Sequence, residues 1–222
     1  MAGYLQTCDC FRDVSSKFKD LGSVFTFPPN AEVYHQGSPC DTVYLIEHGI
    51  VKLCHTDNRG RQIIAALRRP HWLLGIPPAI LEVPHAVSAV TLGRCTLRSI
   101  SAKNLLNLAD FDHELSCFIR CILSQEVYSQ IEKTARLGCM SAEERLEHFL
   151  SDLISSQDPE AIKGQMELVI PVRYVELAQI LAVTPEHLSR VLAKMESDGC
   201  IRRRRGALIL TDPAALIRKT TP

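Results

Sequence analysis

Apolar residues between positions 174 and 199 recur at spacings of three and four, which predicts two short helices joined by a tight turn. The first helix is expected over Tyr174–Leu181. Thr184 can cap the second helix, Pro185 suits its first position, and Gly199 can end it in a left-handed conformation. The apolar face of the second helix comprises Leu188, Val191, Leu192 and Met195.

The side chains left on the outer face of the second helix are of the kinds that read base edges. Arg190 can donate two hydrogen bonds to guanine, Glu186 can accept from the cytosine amino group, and Ser189 is adaptable. Thr184 and His187 stand beside them as supporting contacts. A helix-turn-helix that offers these residues to the major groove is therefore expected. The alternative is a helical hairpin inside an ordinary all-α core.

A basic segment follows these two helices. Residues Ile201–Leu210 have the pattern of a β-hairpin, whose tip is expected to carry Arg202, Arg203, Arg204 and Arg205. Residues 171–222 hold nine Lys and Arg against five Asp and Glu, although the whole chain has a formal net charge of zero. Arginines beside a recognition helix suit DNA phosphates. The segment therefore predicts a winged helix that binds double-stranded DNA.

The first half of the chain has a different pattern. Residues 24–100 read as short strands separated by glycine turns, with strands expected over Thr42–His48, Ile50–His55 and Gln62–Leu67. Strands at this spacing predict a β-sandwich or β-roll.

A long helix is expected after the strands, from about Phe111 to Gly138. Two apolar stripes on one helix indicate two buried faces, of which the second suits dimerisation. A capping box at Ser141–Glu144 then predicts another helix over Ala142–Ser155. The first stripe comprises Phe111, Leu115, Phe118 and Ile122, and the second comprises Ile119, Leu123, Val127 and Ile131.

This order of elements resembles the Crp/Fnr family of bacterial transcription regulators, and the resemblance covers nearly the whole chain. It is carried by Val33–Gly37, Val43–Gly49 and Ser141–Leu146, and by Glu186–Arg190, which is similar to the Glu-x-x-Ser-Arg set of the Fnr branch. The resemblance implies an α+β fold. An N-terminal cyclic-nucleotide-binding-like β-roll (a double-stranded β-helix) is expected at 1–108, a dimerisation helix at 109–138 and a Crp-type winged helix-turn-helix at 139–222.

The resemblance also implies a function. A homodimer would bind a palindromic site similar to TTGAT, with Arg190 on a guanine, Glu186 on a cytosine and Ser189 on a neighbouring thymine. RNA polymerase is the further partner that such a regulator would contact.

A cyclic nucleotide is not expected as the effector. Family members that bind one hold its phosphate with an Arg-Ser pair and a short helix N-terminus. The corresponding stretch here, Leu74–Ser88, contains no Lys or Arg, and Pro77 and Pro78 remove two backbone donors. His85-Ala86 stands near the position of the Arg-Ser pair. A cyclic-nucleotide-responsive regulator remains the alternative.

The Fnr branch suggests an iron–sulfur cluster, which needs four thiolates or close substitutes. Cys8, Cys10, Cys117 and Cys121 are the candidate metal or redox set, although their spacing departs from the family pattern. In the competing interpretation the cysteines are small apolar packing residues. Haem is a further possibility, because six histidines lie in or near the sensing half: His35, His48, His55, His71, His85 and His113.

The composition of the chain limits which classes of protein it can belong to. Nine scattered cysteines, an odd number, argue against a disulfide framework and favour the reducing cytoplasm. No secretory signal or membrane span is expected, since the apolar run Trp72–Leu81 is broken by glycine and prolines.

A cupin-like metal enzyme and a purely structural dimer are the competing classes of protein. The chain has no His-x-His pair, Gly-x-Ser-x-Gly elbow or P-loop, and a structural dimer would leave the arginine-rich segment unexplained.

Overall fold

A computed structural model describes residues 17–18, 21–155 and 164–220. Cys8 and Cys10 lie outside the described residues. The chain divides into two compact units, and the boundary between Tyr128 and Ser129 falls within one long helix.

The N-terminal unit is built on two antiparallel four-stranded sheets. Its strands are β1 Ser23–Phe27, β2 Glu32–Tyr34, β3 Thr42–His48, β4 Val51–Thr56, β5 Gln62–Arg68, β6 Leu73–Leu74, β7 Ser88–Thr91 and β8 Cys95–Ser101. The strand orders in the two sheets are β1-β8-β3-β6 and β2-β7-β4-β5. Glycine turns join the strands; at Gly49 the backbone has φ 93°, and an added Cβ would meet the Cys95 sulfur at 2.5 Å. This is the predicted β-roll.

Three helices accompany the β-roll: α1 (Ile76–Leu81), α2 (Ala102–Phe111) and α3 (His113–Cys139). Two apolar clusters form its core. One, centred on Ile46, Leu74 and Leu97, lies among the strands. The other joins strands to the helices through residues that include Val43, Ile100, Leu105, Leu115, Phe118, Ile119 and Ile122.

The long helix α3 differs from the prediction at both ends. The Asp112 carboxylate accepts hydrogen bonds from the backbone N–H of Glu114 and Leu115, both at 3.0 Å, so the helix begins at His113. Phe111 therefore ends the preceding helix and is 92% exposed, not buried as predicted. Gly138 does not adopt the left-handed conformation, and the helix continues to Cys139.

The two stripes on α3 also need correction. Ile119 was assigned to the second stripe, yet it is buried in the β-roll core with the residues of the first. Leu123 is partly buried against the same core, whereas Val127 and Ile131 are 60% and 62% exposed. The second stripe therefore becomes solvent-facing only after Leu123.

The C-terminal unit begins its globular part with α4 (Ala142–Ile154), which starts with the predicted capping box: the Glu144 backbone N–H donates to the Ser141 hydroxyl, and the Ser141 N–H donates to the Glu144 carboxylate. The remaining elements are β9 Met166–Val169, α5 Tyr174–Ile180, α6 Pro185–Ser197, β10 Ile201–Arg204, β11 Ala207–Leu210 and α7 Pro213–Thr220. The three strands form one sheet of order β10-β11-β9. This is the predicted winged helix-turn-helix.

No helix within these described ranges is both long and apolar enough to cross a membrane.

Candidate nucleic-acid interface

The helix-turn-helix comprises α5, a four-residue connection (181–184) and α6. Leu177, Ala178 and Leu181 are buried, as are the four apolar residues predicted for the second helix, so both helices pack their apolar faces into one core. Ala182 holds a left-handed backbone at φ 52°, a conformation that costs an L-residue about 1 kcal/mol or more. The turn thus stores some strain in order to bring α6 across α5.

The start of the recognition helix α6 is fixed by local hydrogen bonds. The Thr184 hydroxyl accepts from the His187 backbone N–H at 3.2 Å, and Pro185 occupies the first turn, as predicted. The Tyr174 hydroxyl donates to the Pro185 carbonyl at 3.1 Å, which fastens the first helix to the start of the second. Sequence periodicity did not identify this role of Tyr174, because only the fold brings the phenol to that carbonyl.

The first two turns of α6 present an exposed polar surface. Glu186, His187, Ser189 and Arg190 are all exposed. The pKa of Glu186 is lowered, first by a hydrogen bond from its own backbone N–H, then by the Thr184 hydroxyl and by the nearby Arg190 charge. A fixed carboxylate acceptor therefore lies one helical turn from a guanidinium donor.

The wing is the hairpin formed by β10 and β11, and the positions of its arginines differ from those predicted from the sequence. Arg202, Arg203 and Arg204 lie within β10, and only Arg205 lies in the two-residue turn, beside Gly206 at φ 75°. The predicted tip of four arginines is thus wrong in placement, because the strand pairs as far as Arg204 with Ala207.

Two of the wing arginines bind carboxylates of the same unit. Arg203 Nε lies 2.8 Å from the Glu196 carboxylate on α6, and Arg204 Nη1 lies 2.6 Å from Glu167 on β9. Within the described residues, Arg202 and Arg205 are exposed and form no such ion pair. The four arginines are therefore not equivalent donors for a DNA phosphate.

Residues 74–88, which were predicted to lack phosphate-binding groups, contain the buried His85. Its ring stacks on Tyr34 with centroids 3.8 Å apart, and burial lowers its pKa. Gly75 precedes α1, whose first turn contains Pro77 and Pro78. Residues 74–88 contribute no cation, so they do not fit the phosphate of a cyclic nucleotide.

The β-roll nevertheless contains two buried cations that the sequence argument missed, Lys52 and Arg68. Arg68 Nη2 lies 2.6 Å from a carboxylate oxygen of Glu126 on α3, and its guanidinium lies 4.4 Å from the centre of the Trp72 ring. Among the nitrogens of this guanidinium, Nε is buried and has no hydrogen-bond partner within the described residues. The guanidinium is thus already neutralised by the long helix. No sequence signal distinguishes Arg68 from the adjacent, less buried Arg69.

The candidate cysteine set is only partly described. Cys117 and Cys121 lie one turn apart on α3 and are half-buried. The pKa of Cys121 is raised, first by burial and then by Cys117. In the part of the chain that the structure describes, no three His, Cys, Asp or Glu side chains are grouped to hold a metal. These residues alone therefore do not fit an iron–sulfur cluster.

Two more of the histidines considered for haem binding have polar contacts. His35 Nδ1 lies 2.8 Å from a Glu32 carboxylate oxygen, and His55 Nδ1 lies 3.1 Å from the Ala86 carbonyl.

Comparisons with known proteins identify both halves of the chain. Residues 24–111 match the cyclic nucleotide-binding domain family, and residues 144–219 match the Crp-like helix-turn-helix domain family. The nitrogen fixation regulation protein FixK of Azorhizobium caulinodans is 26% identical over 181 residues, which cover 82% of this chain and 72% of that protein.

Solved structures agree on the fold. FixK2 from Bradyrhizobium japonicum superposes with a TM-score of 0.78 at 19% identity, over 91% of this chain and 98% of that one. The c-di-GMP-responsive global regulator CLP of Xanthomonas campestris gives a TM-score of 0.74 at 23% identity, over 89% and 97% of the two chains. The relatives are DNA-binding transcription regulators, which confirms the prediction of a regulator over an enzyme. The chain belongs to the Crp/Fnr family of transcription regulators.

Proposed function

We propose that this regulator binds a palindromic, TTGAT-like DNA site as a dimer, with Glu186, Ser189 and Arg190 reading the bases. The observation that carries the proposal is the fixed start of α6, where a cap at Thr184 presents an ionised Glu186 and Arg190 together on an exposed face. A carboxylate acceptor and a bidentate donor one turn apart are suited to adjacent cytosine and guanine edges. RNA polymerase is the expected further partner.

Dimerisation is supported by the surface of α3. Between Ser124 and Gly138 every exposed residue of this helix is uncharged, whereas Glu126, Glu132, Lys133 and Arg136 are all partly buried. A helix face that met only water would be expected to carry charge. We define the uncharged stripe as the face formed by Ser124, Val127, Gln130, Ile131, Thr134 and Gly138. A second copy of the helix would cover it.

Substitutions at Arg190 test the base-reading proposal. Arg190→Ala is expected to weaken binding to the preferred site by about 1–3 kcal/mol and to relax preference at one base pair. Arg190→Lys is the matched control for charge: it keeps the cation but loses the planar fork, so it should retain most affinity for random DNA while losing the guanine preference. Binding is measured by fluorescence anisotropy on duplexes that vary this base pair. Unchanged base preference in both variants would rule out this recognition helix.

Substitutions of the wing arginines test the contacts to DNA phosphates, which do not depend on the base sequence. Arg202→Ala and Arg205→Ala should weaken binding to every sequence and lower the log–log salt slope by about 0.9 for each lost phosphate contact. Arg203→Ala and Arg204→Ala should lower it less, because Glu196 and Glu167 already neutralise those guanidinium groups. Equal slopes for all four variants would contradict the distinction.

For the signal, we propose a redox, oxygen or small-molecule input rather than a cyclic nucleotide. His85 is stacked on Tyr34 and Arg68 is paired with Glu126, so neither side chain is free to bind a phosphate. The thiols of Cys117 and Cys121, with Cys8 and Cys10, remain the candidate redox or metal set. DNA affinity is to be compared with and without oxygen, for wild type and for Cys117→Ser/Cys121→Ser. Equal affinities in all four cases would leave the pair a packing role only.

A further inference from the structure

Arg145, on the first turns of α4, lies at the junction of three elements of the C-terminal unit. Its side chain is half-buried. Nη1 donates to the Met140 carbonyl at 2.7 Å, and Nε donates to the Leu181 carbonyl at 2.9 Å. One guanidinium therefore joins two backbone positions that are 41 residues apart in the sequence.

Both carbonyls belong to helix C-termini. Met140 directly follows the last residue of the long helix α3, and Leu181 caps α5. The last carbonyls of a helix have no partner within the helix, and they carry the negative end of its dipole. A rigid cationic fork with several N–H donors can satisfy both at once, which an ammonium group on a flexible stem cannot do with the same geometry.

From Leu181 the chain reaches the recognition helix in three residues. Those residues have little freedom: the Ala182 N–H donates to the Gln179 carbonyl at 3.1 Å, and the Val183 N–H donates to the Ala178 carbonyl at 3.0 Å. Thr184 then caps α6. A displacement of Leu181 relative to Met140 would therefore be passed to the start of α6.

We infer that Arg145 is a positioning residue for DNA recognition, which fixes the direction of the recognition helix relative to the end of the long helix. The inference rests on the proposed function, because a dimer that meets through α3 reads two half-sites at a separation set by that direction. Arg145 touches no base in this account. Its loss should change which half-site spacing is accepted, and leave the base preference within each half-site intact.

The test is selection from duplexes that carry two inverted TTGAT-type half-sites separated by spacers of every length from none upward. Wild type should enrich one spacing. Arg145→Met, which keeps a linear apolar stem, should accept several spacings and lose about tenfold in affinity for the wild-type optimum, the scale on which mutations in coupled elements act. Arg145→Lys should resemble Arg145→Met, because one ammonium group does not replace the fork.

Arg136→Met is the matched control. Arg136 also joins α3 to α4, through Asp152 at 3.5 Å, and it forms no contact with the carbonyl of Leu181. It should keep the wild-type spacing.

The outcomes separate the two claims. A wild-type protein with no half-site preference would sink the proposed function itself. Strict wild-type spacing in a folded Arg145→Met, or in Arg145→Lys if the methionine variant does not fold, would overturn the inference. Equal relaxation in Arg136→Met would also overturn it, because a general loosening of α3 from α4 would then explain the effect. Circular dichroism melting reports folding for each variant.

Discussion

Replacing Val127 and Ile131 with glutamate is expected to yield a monomer that loses about a hundred- to ten-thousandfold in affinity for the palindrome, the contribution of linking two binding modules. Both side chains are more than half exposed on the uncharged stripe, so the β-roll core does not depend on them. In a dimer, however, two buried glutamates at each position would face each other without cations. Sedimentation equilibrium measures the mass, and anisotropy measures the affinity.

Ile63→Glu is the matched control for this double substitution. Ile63 is 54% exposed on strand β5 and does not belong to α3, so the variant should remain a dimer. Ile122 is unsuitable for the purpose, since it is 2% exposed within the β-roll core and a charge there would test folding. A dimer of normal stability with Val127→Glu/Ile131→Glu would place the interface elsewhere.

Glu126→Leu is expected to destabilise the β-roll by about 3 kcal/mol, the lower end of the range for breaking a buried ion pair. The Arg68 side chain is 5% exposed and would keep its charge without a carboxylate partner, in contact with the Trp72 ring and the Leu67 carbonyl, whereas Glu126 is 24% exposed and loses less on desolvation. The double variant Arg68→Met/Glu126→Leu should recover much of the loss, because it leaves no unpaired buried charge. Urea denaturation followed by tryptophan fluorescence measures the free energy of unfolding.

Glu132→Leu controls for the loss of a carboxylate from the same helix. Its ion pair with Arg136 is long, at 3.9 Å, and partly exposed, so the expected change lies within about 0.5 kcal/mol. If Glu126→Leu and Glu132→Leu were equally mild, the Arg68–Glu126 pair would not contribute to holding α3 on the β-roll.

The helix-turn-helix could be predicted almost to the residue because local chemistry specifies it. Thr184 caps α6 with its hydroxyl, Pro185 and Gly199 act at the helix ends through their own backbone geometry, and the apolar spacing of α6 corresponds to a single buried face. The capping box at Ser141 is equally local. The β-roll could likewise be predicted, from short strands separated by glycine turns.

The predictions from the sequence were wrong where contacts between distant residues determine the structure. Asp112 caps α3, so the helix begins at His113 and not at Phe111. Ile119 is buried in the core because the β-roll covers a wider arc of that helix than one apolar stripe. The partners of Arg68, Arg145, Arg203 and Arg204 lie on other elements, so a count of charges could not separate paired arginines from available ones. The absence of cations from residues 74–88 said nothing about Lys52 and Arg68, which reach the interior from other strands.

The most direct test of the central claim is selection of fully random duplex DNA by the purified wild-type protein, with no effector added. We expect enrichment of two inverted half-sites similar to TTGAT, with the strongest constraint at the base pairs assigned to Arg190 and Glu186. Enrichment of a single unpaired element, of an unrelated sequence, or of no sequence at all would contradict it.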